Sequence, residues 1–169
     1  STTEVINRLA NVDAAFAVSS KDLADALARA GSTAQGAKVQ FNELLAMVTS
    51  VQQQTARGGA VIGNAFKSIF TRIQRSGVQD ALEELGVATR NVDGSFRSGI
   101  TVLKDYARTY DTLTDAQKAY TAEQLAGVFQ INNLKALVND LNSSFSIYDR
   151  ALKVANNSTN EANQRNQEL

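Results

Sequence analysis

The chain has 169 residues, of which 43% are hydrophobic and 20% charged, enough for one domain with its own core. Lys and Arg number 17, as do Asp and Glu, so there is no cationic surplus of the kind that binds nucleic-acid phosphates, and no specific nucleic-acid partner is expected. Cysteine and histidine are both absent, which removes disulfides, thiol nucleophiles, imidazole bases and the usual transition-metal ligands, so no cofactor, metal or catalytic residue is expected. No apolar run approaches the ~18 residues of a membrane span. The start, STTEVINRLANVD, is polar and amphipathic, unlike a signal peptide. It opens on Ser1 rather than Met, and the chain reads as a piece of a longer protein.

Proline is absent too. Together with apolar residues spaced three and four apart, this predicts an all-α fold: a bundle of about six to eight helices with a long C-terminal helix. Val5, Leu9, Val12 and Phe16 form the first stripe. Ser19, with Asp22 three residues on, caps a helix from Ser20 that is expected to stop at Gly31, leaving 31–36 as a loop. Phe41, Leu44, Leu45 and Val48 mark the next helix, and Thr55–Gly59 a break. The segment Ala60–Ile73 has the densest stripe and reads as the central core helix, with Phe66, Ile69 and Phe70 buried beside Leu82 and Leu85 across a division at Gly77. Gly86 ends the short helix. Residues 87–98 alone carry turn chemistry, around Asp93-Gly94. Ile100, Leu103, Ala107 and Tyr110 open another helix. Thr114 with Gln117 forms a capping box for the one that ends at Gly127.

Beyond Gly127 no glycine recurs, and Leu134, Val138, Leu141, Phe145, Tyr148, Leu152 and Ala155 alternate steps of four and three. Three such heptads predict one long helix, bent at most near Ser143-Ser144, whose seam takes an earlier helix of the chain or another copy. The polar tail, 156–169, has little to bury.

Few groups carry chemistry. Gly59 and Gly63, four apart, allow a neighbouring helix to approach closely, which serves ordinary packing or association between copies. Lys67, Arg72 and Arg75 lie toward the polar side of their helix, and a membrane- or partner-binding helix is the sharper alternative to a core helix there. Arg57-Gly58-Gly59 precedes a helix without the lysine of a phosphate loop. Asn91-x-Asp93-Gly94 lacks the glutamate that closes a calcium loop. Glu83 and Glu84 are adjacent and cannot face each other across a substrate.

Several segments, taken in order, resemble the core of phage tail tape-measure proteins: ALARAGSTAQ (26–35), FNELLAMVTSVQQQT (41–55), RGGAVIGNAFKSIFTRIQ (57–74), ALEELGVATRNVDGSFRSGITVLKDYA (81–107) and LTDAQKAYTAEQLAGVFQINNLKALVNDL (113–141). The likeness covers roughly 20–141 and divides the chain into a core domain, 1–141, and a helical extension, 142–169. It implies a virion structural role: a long parent chain inside the growing tail tube, its length setting tail length. It further implies tail-assembly chaperones holding the chain in the host cytoplasm, contacts with other copies, tube protein and tail-tip proteins, and exit ahead of the DNA. Some relatives add peptidoglycan-cleaving domains, but the core offers no catalytic residues to carry over. The alternative is a helical protein–protein interaction domain of a bacterial secreted or adaptor protein. The candidate packing or interaction residues are Gly59, Gly63, Phe66, Phe70, Leu134, Val138, Leu141, Phe145, Tyr148 and Leu152.

Overall fold

The computed structural model describes residues 1–16 and 18–168, with side chains through 158. Among the described residues nine α-helices follow one another: α1 (Thr2–Ala15), α2 (Ser20–Gly36), α3 (Phe41–Thr55), α4 (Gly59–Ile73), α5 (Ser76–Glu84), α6 (Gly99–Tyr110), α7 (Asp115–Ala126), α8 (Ile131–Leu141) and α9 (Ile147–Glu168). A 3-10 turn, Val128–Gln130, links α7 to α8. The fold is an all-α bundle with one helix more than the upper expectation.

The two caps read from the sequence are formed: Ser19 Oγ accepts from the Asp22 N–H on α2, and Thr114 and Gln117 make a capping box on α7. Ser1 and Glu4 add a capping box on α1. Helix α5 closes at Gly86 (φ +84°) and α7 at Gly127 (φ +80°). The turn region 87–98 forms one isolated antiparallel bridge, Arg90 to Phe96, around Gly94 at φ +87°. There Asp93 Oδ1 accepts from the Ser95 N–H at 2.9 Å. The loop is tied back to the α2–α3 connection, where Lys38 Nζ donates to Phe96 O at 2.9 Å and the Gly99 N–H to Ala37 O at 2.8 Å.

Five expectations are corrected. Helix α2 does not stop at Gly31 but runs to Gly36, because Ala26, Ala30 and Ala34 continue one buried stripe across it. The helix division expected at Gly77 falls at Gln74–Arg75, and Gly77 lies within α5. Burial of α5 is partial at its end: Leu82 is buried, Leu85 only half-buried. The centre of the bundle belongs to α3 rather than α4, since every residue from Leu44 to Gln52 is buried. A helix buried all round sits inside, whereas α4 keeps Val61, Asn64, Lys67 and Thr71 outside. Finally, the single long terminal helix is two helices, α8 and α9, broken at 142–146. Helix α9 returns along α3 and α1, and α2 packs most extensively on α4.

Candidate functional site

The crossing of α2 and α4 is made by small residues. A Cβ built on Gly59 would stand 2.0 Å from Asp22 O, and one on Gly63 2.9 Å from Ala26 Cα. Both glycines are buried, so bare backbone meets backbone here. Asp22 adds a polar lock: its Oδ1 accepts from the Gly59 N–H at 3.0 Å, at the N-terminus of α4. That hydrogen bond, and the next from Ser19, hold the Asp22 carboxyl below its ordinary value. Below the glycines, Phe66 and Phe70 are buried, their ring centres 5.7 Å apart in a stacked arrangement.

The second focus is the α8–α9 corner. Asp140, in the last turn of α8, is 7% exposed. Its Oδ1 accepts from the Ile147 N–H at 2.8 Å, and its Oδ2 from the Tyr148 N–H at 2.9 Å and Ser50 Oγ at 2.6 Å. Ser146 Oγ accepts from the Asp149 N–H at 3.0 Å. Asp140 and Ser146 thus take up the free N–H groups that a new helix start exposes, which is why the chain breaks here although its apolar period does not. Asn142 Nδ2 donates to Ala107 O at 2.6 Å and anchors the corner to α6.

This break redistributes the expected seam. Leu134, Val138 and Tyr148 are buried, Leu141 and Leu152 half-buried, and Phe145 lies exposed in the connection with the Arg150 guanidinium 4.6 Å from its ring centre. Burial pushes the Tyr148 hydroxyl well above its usual range, with the charges of Glu43 and Asp149 adding to it. Lys104 Nζ sits 5.0 Å from the Tyr148 ring centre. A parallel polar contact joins α6 to α7. Tyr106 Oη and Thr121 Oγ1 lie 2.7 Å apart, and burial raises the Tyr106 hydroxyl to about 12.

The sequence reading missed Asp140, since one acid within an apolar period carries no local sign of burial. It also missed an apolar groove of about 720 Å³ between the end of α2 and the start of α3. Among the described residues no group of three or more Asp or Glu could hold a metal ion, and no helix is long and apolar enough to cross a membrane. The groups described at both places pack helices together and cap their ends.

These features define an all-α helical bundle. Residues 1–127 match the family described as phage-related minor tail protein, and the chain belongs to that family. It is similar to the probable tape measure protein of Escherichia phage P2, with 30% identity over 109 residues, covering 62% of this chain and 13% of that protein. The chain therefore resembles a phage tail tape-measure protein, and it spans about an eighth of the length of the curated relative it matches. No solved structure matches it.

Proposed function

We propose that this chain is a folded segment of a tape-measure protein, part of a longer polypeptide that occupies the tail tube and sets the length of the tail. The observation that carries the reading is the joint match to the minor tail family and to the phage P2 protein, on a chain whose buried groups serve helix packing. The family match favours a virion component over a bacterial adaptor domain. On this reading residues 1–141 form the core domain and 142–169 a helical extension, and the partners are further copies, the tube protein, the tail-tip proteins and the assembly chaperones that hold the chain in the host cytoplasm.

The folded state makes the ruler reading quantitative. As one continuous helix, 169 residues would reach on the order of 250 Å at 1.5 Å per residue. Folded to a radius of gyration of about 15 Å, the same residues span roughly 40 Å. The test is an in-frame deletion of this segment from the parent gene, with tail length measured by electron microscopy. Shortening by roughly 250 Å means that the segment opens inside the tube, and by roughly 40 Å that it measures while folded. Tails of unchanged length, assembled in normal number, would refute a measuring role for this segment.

A further inference from the structure

The seam from Leu134 to Ala155 is unbroken in sequence and broken in space. Helices α8 and α9 both lie antiparallel to α3. Along α8 the match is one residue for one: Arg57 Nη1 donates to Asn133 Oδ1 at 3.3 Å, Gln54 Nε2 to Ala136 O at 3.0 Å and Ser50 Oγ to Asp140 Oδ2 at 2.6 Å. Continued in that register, Tyr148 would stand opposite Asn42. Asn156 stands there instead, accepting from Asn42 Nδ2 at 2.9 Å. The 142–146 connection therefore takes up about eight residues, or ~12 Å of helix at 1.5 Å per residue.

We propose that this connection is a latch within one helix: when it is released, residues 131–168 form a single continuous helix, and α9 moves about 12 Å along α3 and past its first turn. No glycine or proline stands between Val128 and Glu168, so no helix breaker forbids the straight form. What holds the step is polar and exchangeable. Asp140 accepts from the Ile147 and Tyr148 N–H groups, and Ser146 from that of Asp149. In a continuous helix the carbonyls of Ser143, Ser144 and Phe145 take the same donors. The bent form also leaves side chains unserved. Phe145 is 72% exposed although it lies in the middle of the seam. The Tyr148 hydroxyl is buried with no hydrogen-bond partner among the described residues, which is unfavourable. Straightening in the register of α8 brings Phe145 opposite Leu45. It also carries Tyr148 to the half-buried level of Asn42, at the end of α3, where the hydroxyl reaches solvent. Against this stands the packing of α9 on α3 and α1, which buries Ala151 and Ala155 and makes the bent form the resting one. The latch is a property of this chain and does not depend on the length-setting role; either can fail without the other.

The test is a distance measurement by double electron–electron resonance, with far-UV circular dichroism to confirm the fold of each variant. The chain has no cysteine, so Asn132→Cys and Lys153→Cys, both at exposed positions, carry the only spin labels. Their backbones stand about 20 Å apart in the bent form and about 32 Å apart in one helix. The labelled chain with no further change gives the shorter distance. Asp140→Ala with Ser146→Ala removes the acceptors of the step but none of a straight helix, and shifts the ratio of straight to bent by on the order of 100-fold, so a second population appears near 32 Å. Adding Ser144→Pro abolishes that population, because proline is excluded from a helix interior, while the Ser144 N–H makes no hydrogen bond in the connection. A folded Asp140→Ala, Ser146→Ala variant with only the shorter distance overturns the proposal. So does a variant that loses its helicity and gives a broad spread of distances, or a longer distance that survives Ser144→Pro.

Discussion

Replacing Gly59 by alanine tests the α2–α4 crossing directly. In a helix the exchange of glycine for alanine ordinarily gains up to ~1 kcal/mol. Here the new Cβ would lie 2.0, 2.7 and 2.8 Å from the O, C and Cα atoms of Asp22. Ordinary contact begins near ~3.5 Å, so the start of α4 must retreat from α2 by more than ~1 Å. The obstructing atoms are backbone, and no rotamer change relieves them. Overpacking of this kind costs about 1–3 kcal/mol. The retreat also stretches the 3.0 Å hydrogen bond from the Gly59 N–H to Asp22, worth about 1 kcal/mol at this half-buried carboxylate. Net destabilisation is about 2–3 kcal/mol. Gly31→Ala is the control: it lies in mid-helix with nothing within 4 Å of its Cβ, and it should stabilise by roughly 0.5–1 kcal/mol. Urea denaturation of the two variants, with unchanged m-values, reads opposite signs for the same chemical change. If Gly59→Ala unfolds at the same or a higher midpoint than the parent chain, the close approach is wrong.

Phe66→Ala or Phe70→Ala should cost about 3–5 kcal/mol in the same assay, since both rings are buried; a loss below ~1 kcal/mol would place that face on the surface. Asp140→Ala leaves two N–H groups and the Ser50 hydroxyl without their acceptor and should cost about 3 kcal/mol, with Asp140→Asn less severe. Thr114→Ala should cost about 1 kcal/mol through loss of the α7 cap; a thermal midpoint that does not move would show that the cap contributes nothing. The Asp22 carboxyl is depressed chiefly by the Gly59 N–H, so its contribution is complete above the unfolded value of ~3.9 and is lost as pH falls through the lower folded value. Denaturation midpoints between about pH 5 and pH 2 should therefore fall less steeply for Asp22→Ala than for the parent chain; parallel curves would remove Asp22 from the acid response.

The sequence by itself determined which elements form. The absence of proline and the spacing of apolar residues dictated helices, and the residues that satisfy orphan N–H groups at a helix start, such as Ser19 and Thr114, act within three positions of themselves and can be read locally. The spacing of Gly59 and Gly63 showed that something could approach closely there, and left open a helix of the same chain or another copy. Tertiary structure alone decided the partner across those glycines, Asp22 and Ala26 of α2, and made α3 the buried centre. The polar members of α3, Thr49 and Ser50, obscure its full burial in the sequence, and it is tolerated because Thr49 Oγ1 donates to Leu45 O at 2.8 Å and Ser50 Oγ to Asp140 at 2.6 Å. Helix continuity is a competition rather than a pattern. At Gly31 no contact opposes the helix and the buried alanine stripe carries it through. At 142–146 an unbroken apolar period loses to Asp140, whose carboxylate offers the N–H groups of Ile147 and Tyr148 an acceptor from the preceding helix while Ser50 holds it from α3. That outcome depends on where α3 lies in space, which no local reading of residues 134–155 contains.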